Sequence, residues 1–258
     1  MLVRLAALIL TLSLVLAGCS SDDREDGEQV ELTVGAAADL QVAVAEIGEL
    51  CEEEAGHTVN FSFGSTGNLT TQIENGAPFD VFAAANVAFV DQLIAGGFID
   101  DKTRRLYGVG RIVLANSVAA GTDAQELEDL LDPDIVHVAI ANPEHAPYGL
   151  AAKEALESAG LWDDLQPKLV YGENIRQTLQ FVESGNAEVG IVALSIAEVD
   201  TITHTLIDDS LHNPLLQTMG VVSASEHQDE AMEFVDFVIG PEGRGILEKY
   251  GFAPPESP

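Results

Sequence analysis

Lysine is nearly missing from this sequence: it occurs four times in 258 residues, at 102, 153, 168 and 249. Lysine and arginine together number 11 against 43 aspartates and glutamates, a formal charge of −32. That balance excludes the basic footprint of a nucleic-acid binder. Cysteine is also scarce, at positions 19 and 51 alone, so a disulfide framework is excluded. Catalytic and phosphate signatures are missing too. No G-x-G-x-x-G follows a strand pattern, Gly64-Ser65-Thr66-Gly67 has no lysine after it, and Ser195 has no G-x-S-x-G elbow. The six histidines, at 57, 137, 145, 204, 212 and 227, form no close metal-ligand spacing. An enzyme is therefore the weaker reading.

The first residues stand apart from the fold. Leu5 to Leu16 is an apolar run behind Arg4. It suits a signal-peptide core and is short of the roughly 20 residues of a membrane span. It ends in Leu16-Ala17-Gly18-Cys19, which resembles the bacterial lipoprotein cleavage box. That resemblance implies residues 1–18 as a leader and a lipid on Cys19. Residues 19–29 are acidic and almost free of apolar side chains, and read as a solvated tether. The mature protein then works outside the cytoplasmic membrane, anchored by lipid only. Cys51 falls in a helical pattern with Val44, Ile47 and Leu50, which suits a small buried hydrophobe.

The whole chain has 47% apolar and 21% charged residues, a globular composition. The acids are dispersed, as at Glu52-Glu53-Glu54 and Asp208-Asp209. Such a surface resembles that of proteins from high-salt organisms, where screening removes self-repulsion; an ordinary acidic secreted protein is the plainer reading. Strand patterns at 30–34, 59–63 and 80–85 alternate with helical patterns at 40–50, 69–73 and 87–94. The rhythm recurs later, with strands at 111–115, 136–140, 168–171 and 189–194, and helices at 150–158 and 174–184. A last strand at 215–222 precedes two closing helices. The expectation is an α/β protein of two doubly wound lobes with parallel sheets.

In open α/β sheets ligands bind off the carboxyl ends of strands. Four such ends carry small residues, Gly or Asn, and lead into helices: 36–39, 64–67, 142–149 and 172–175. Helix starts present unpaired N–H groups and a partial positive charge. Four of them converging would hold an anion without any formal positive charge.

Several segments, in order, are similar to the periplasmic molybdate-binding proteins of ABC transporters. They are Ala36-Ala37-Ala38-Asp39-Leu40, Phe63-Gly64-Ser65-Thr66-Gly67, Gln72 to Phe82, Asn142 to Gly149, Glu173-Asn174-Ile175-Arg176, Gly190-Ile191-Val192 and Lys249-Tyr250-Gly251-Phe252. The resemblance implies a type II periplasmic binding protein of Venus-flytrap shape, with no enzymatic activity, no cofactor and no metal cation. One lobe would comprise 30–112 plus 217–258, the other 113–216. The implied ligand is molybdate or tungstate, held as an oxyanion by neutral donors. The implied partners are a membrane permease and its ATPase, with the binding protein itself a monomer. Other readings are a sulfate or phosphate binder, or a secreted phosphate-handling enzyme.

The resemblance carries the donor positions onto Asp39, Thr66 with Ser65 beside it, Tyr148 and Ile175. Where many relatives place a tyrosine after the Gly-Ile-Val strand, this chain has Ala193. The Tyr148 phenol then either supplies that hydroxyl from across the pocket or packs on the hinge as a lid. His145 is expected to orient its loop. Asp39 departs from the pattern, because an ionised carboxylate cannot donate. Either its side chain caps the N–H of residue 41 or 42, or a proton on the ligand meets it.

Overall fold

The computed structural model describes residues 30–255. Cys19, the leader and the tether lie outside the described residues. The chain runs β1 (Glu31–Ala37), α1 (Gln41–Ala55), β2 (Thr58–Gly64), α2 (Thr66–Glu74), β3 (Val81–Ala84), α3 (Val87–Ala95) and β4 (Arg105–Gly110). It continues through β5 (Ile112–Ser117), β6 (Val138–Ala141), α4 (Pro147–Ser158), α5 (Trp162–Leu165), β7 (Leu169–Gly172), α6 (Ile175–Glu183), β8 (Val189–Ala193) and β9 (Ile202–Leu206). It closes with β10 (Leu215–Val221), α7 (Gln228–Ile239) and α8 (Pro241–Lys249).

These strands form two five-stranded sheets, ordered β2-β1-β3-β10-β4 and β7-β6-β8-β5-β9. The two orders match element for element. The sheets are mixed, which corrects the expectation of parallel ones. β1 pairs parallel with β2 and β3, while β10 runs antiparallel to β3 and β4. In the second sheet β6 pairs parallel with β7 and β8, while β5 runs antiparallel to β8 and β9. The reason is the crossing. A strand that enters a sheet from the cleft must run against strands that end at the cleft, and β5 and β10 are those entrants.

Two strands, β4 and β9, are absent from the sequence-based pattern. The glycines at 108 and 110 thin the apolar alternation of β4, and β9 (Ile-Thr-His-Thr-Leu) is half polar because it is an edge strand. His204 sits in β9, and His212 is buried. Ile112 pairs with Ala193 and opens the second sheet, whereas Leu215 and Leu216 pair with Gly110 and Val109 in the first. Arg111 alone separates β4 from β5. The apolar pattern runs across it without a turn signal.

Each sheet is covered on both faces, as parallel interior strands demand; β3, β6 and β8 are buried along their whole length. On one face of the first sheet α1, α7 and α8 contribute Ile47, Phe234 and Leu247 to a core with Leu32 and Val34. On the other, α2 and α3 contribute Leu69, Ile73 and Leu93 around Phe82. Cys51 is free and buried in α1. The core of the second sheet includes Leu114, Ile140, Leu179 and Ile191, and it reaches across to Ala37, Ala38 and Ala85 of the first lobe. Gly56, at φ 75°, ends α1 in the left-handed conformation that glycine adopts without strain.

The isolated basic residues meet acids: Arg104 pairs with Asp91, Arg105 with Asp236 and Arg111 with Asp209. Asp80 ties together segments distant in sequence, accepting from the Thr33 N–H at 2.7 Å and the Ser225 hydroxyl at 2.6 Å.

Leu114 lies in β5, paired on both sides and 1% exposed. Leu114→Ala is expected to cost about 2–5 kcal/mol of stability, read as a lower urea midpoint.

Candidate functional site: a cavity at four helix starts

The four strand ends singled out in the sequence meet between the lobes. Ala37, Ala38 and Asp39 follow β1, Gly64, Ser65 and Thr66 join β2 to α2, Ala146, Pro147 and Tyr148 open α4, and Ile175 opens α6. Together with Ala85, which follows β3, they line one small cavity of about 10 Å³. All five sequence-predicted residues, Asp39, Ser65, Thr66, Tyr148 and Ile175, are on its wall and nearly fully buried. No lysine, arginine or histidine is among the lining residues.

Local sequence explains why each helix starts where it does. Ser65 caps α2 by accepting from the Asn68 N–H, and Asn174 caps α6 by accepting from the Gln177 N–H. Pro147 begins α4, where a missing N–H costs nothing. These placements leave first-turn amides over. Among the described residues, the N–H groups of Thr66, Tyr148 and Ile175 have no protein acceptor. They stand where helix geometry provides none. The Thr66 hydroxyl accepts from the Ala85 N–H at 3.1 Å, so its proton remains available as a donor.

Contacts between the lobes close the cavity. Ser65 Oγ lies 2.8 Å from His145 Nδ1, and the Gly67 N–H donates to the His145 carbonyl at 2.9 Å. A Cβ on Gly67 would sit 2.8 Å from that carbonyl oxygen, so glycine permits this approach. Asn68 donates to Glu173 from lobe to lobe. When His145 Nδ1 carries the proton, the Ser65 hydroxyl is free to donate into the cavity. His145 thus ties its loop to the first lobe.

Asp39 does not cap α1. It sits inside the short 3-10 turn Ala38–Leu40 that precedes α1 and makes no side-chain cap bond. Its carboxylate turns to the second lobe, where Tyr148 donates to Oδ2 at 3.0 Å. Gln217 Nε2 donates to the Tyr148 oxygen at 3.1 Å, and the Tyr107 phenol donates to Gln217 Oε1 at 2.8 Å. The Ser195 hydroxyl donates to the Asp39 carbonyl at 2.8 Å. Oδ1 of Asp39 is buried and has no partner. Burial pushes the Asp39 carboxyl up to about 7, against the opposing effect of the Tyr148 hydrogen bond. Burial and the neighbouring Asp39 push the Tyr148 phenol up as well.

The phenol of Tyr148 therefore spends its proton on Asp39 while that carboxyl is ionised. It also packs on the crossing strand, because a side chain on Gly110 would strike both its hydroxyl and the Gln217 amide. Tyr107, Gln217, Ser195 and Ala85 were missed in the sequence. Gln217 alone left a signal, a lone amide inside the apolar run 215–222.

Two lobes shut over a cavity of helix starts define a solute-binding protein. The chain belongs to the bacterial extracellular solute-binding proteins, whose family model matches residues 32–253. It is 35% identical over 223 residues to the molybdate-binding protein ModA of Rhodobacter capsulatus, covering 86% of this chain and 88% of that one. It is 34% identical over 235 residues to ModA of Escherichia coli, covering 87% and 90%. The fold superposes on the periplasmic molybdate-binding protein of Azotobacter vinelandii with a TM-score of 0.82 at 29% identity, covering 87% of this chain and all of that one. The chain is a binding protein, not an enzyme.

A folded-state carboxyl raised to about 7 holds its proton where the unfolded chain has lost it. Its contribution is present below the ordinary carboxylate range and disappears as pH rises through about 7. Urea titrations of the ligand-free protein at several pH values check this. Wild type is expected to lose stability between pH ~5 and ~8, and Asp39→Asn is expected to lose less.

Proposed function

We propose that this chain is the extracytoplasmic substrate-binding component of an ABC importer for molybdate and tungstate. It works as a monomer, is anchored through a lipid on Cys19, and delivers its ligand to a membrane permease driven by an ATPase. Asp39, Ser65, Thr66, Tyr148 and Ile175 form the oxyanion site. The observation that carries the reading is the convergence of three acceptor-free amides and the Thr66 hydroxyl on one buried cavity with no cation in its wall. The likeness to molybdate-binding proteins across most of the chain supports the choice of ligand.

The mechanism is closure. The anion bridges helix starts of both lobes and stabilises the shut form, which is the form a permease recognises. Uncharged N–H and O–H donors suit a surface that is already strongly negative. They solvate the anion at fixed distances, so the ring of donors measures oxyanion size. Molybdate and tungstate have longer metal–oxygen bonds than sulfate has sulfur–oxygen bonds, and a rigid ring separates them on that ground. A second reading, monohydrogen phosphate, draws on the unpartnered Asp39 Oδ1, which could accept the proton that phosphate retains.

A thermal-shift panel separates these. Molybdate and tungstate are expected to raise the melting temperature at micromolar concentration, with sulfate and phosphate far weaker. The order reversed, with phosphate leading, would transfer the site to phosphate. Gly67→Ala is expected to weaken molybdate binding roughly ten- to a hundredfold, because the new methyl props the lobes apart at the His145 carbonyl. Calorimetry measures that loss, with unchanged urea stability as the control.

A further inference from the structure

Within the site one atom is out of keeping with a trap for dianions. Asp39 lines the cavity, is 1% exposed, and presents an Oδ1 that no group satisfies. An ionised carboxylate offers only lone pairs, and so does a fully ionised oxyanion. Two such acceptors in contact, with water excluded, repel strongly. The groups that face Asp39 do not relieve this. From α4 comes the Tyr148 phenol, already donating to Oδ2. From β4 comes the Tyr107 phenol, held by Gln217 of β10. From the turn after β8 comes the Ser195 hydroxyl, bonded to the Asp39 carbonyl. From α6 comes the aliphatic Ile175. His145, on the loop before α4, is engaged with Ser65. No charged neighbour acts on the carboxyl.

We propose that Asp39 makes oxyanion capture proton-coupled: one proton taken from solvent sits between Asp39 Oδ1 and an oxygen of the bound anion, turning the carboxyl into a donor. This rests on the oxyanion reading of the site. The balance is simple. Ligand-free protein with Asp39 ionised, plus the dianion, plus one proton, gives the closed complex with net charge one unit less negative than the sum of protein and anion. Burial already favours the acid form, so the proton is cheap to hold near neutral pH. A hydroxyl at this position would donate at any pH. The carboxyl donates only when protonated, so affinity becomes a function of pH. Above the range in which Asp39 holds its proton unaided, affinity for a proton-free anion falls about tenfold per pH unit. Release is correspondingly favoured wherever the cleft opens to alkaline solvent.

Isothermal calorimetry with molybdate tests this in buffers of different ionisation enthalpy, from pH ~5.5 to ~8.5. Wild type is expected to take up nearly one proton per anion at the alkaline end and almost none at the acid end. Asp39→Asn keeps an N–H donor and should lose both the uptake and the steep pH dependence; Asp39→Ser serves the same purpose if the asparagine variant folds poorly. Molybdate binding by wild type without proton uptake at pH ~8.5 would overturn the proposal and leave the proposed function standing. Uptake that persists in both variants would assign the proton to another group, His145 first, and overturn it equally. No molybdate binding at pH ~5.5 by wild type or either variant would remove the oxyanion reading itself, and this inference with it.

Discussion

The hydrogen bond from the Tyr148 phenol to the Asp39 carboxylate joins the first turn of a helix in one lobe to the end of the first strand in the other. Around it lie the crossing strands. Gly110 and Gln217 sit beside the phenol, on β4 and β10, where the chain leaves and re-enters the first sheet. Hinge and ligand cavity therefore share atoms. A change in charge at Asp39 acts on a contact between the lobes and on the wall of the cavity. Two functions that could have been separate are fused in one buried pair.

The electrostatic setting makes that fusion consequential. The chain carries 43 acids and 11 bases, and its scarce arginines on β4 and next to it are engaged with surface acids. Nothing cationic is left to line the cavity. In the proposed site, attraction for an anion comes from oriented peptide dipoles whose N–H groups the helices cannot use themselves. Such donors are short-ranged and directional. They work only when the two lobes bring them to the same point, so recognition and closure are the same event.

Much of this was legible in the sequence. The order of strands and helices follows from apolar periodicity, because each sheet buries both faces and its strands read as short apolar blocks. The four turns were visible as small residues between a strand and a helix. The edge strand β9 and the glycine-thinned β4 were not, since neither carries a continuous apolar block. Parallel pairing throughout was a natural inference from alternation, and it failed at β5 and β10. Those strands enter from the cleft, and a strand's direction of entry is a property of the whole chain path.

By itself, then, the amino-acid sequence determined the inventory of the site: helix starts with small residues, hydroxyls at 65 and 66, a phenol at 148, and a carboxylate at 39 where a donor is expected. Local chemistry settles those features, because caps, prolines and glycines act within a few residues. Only the tertiary structure decided where the Asp39 carboxylate points and what it touches. Its partner Tyr148 lies more than a hundred residues away and is held in turn by Gln217, while Ser195 holds the Asp39 carbonyl from a third element. Local preference made Asp39 a helix cap; burial against the second lobe offered it a phenol instead, and the long-range contact prevailed.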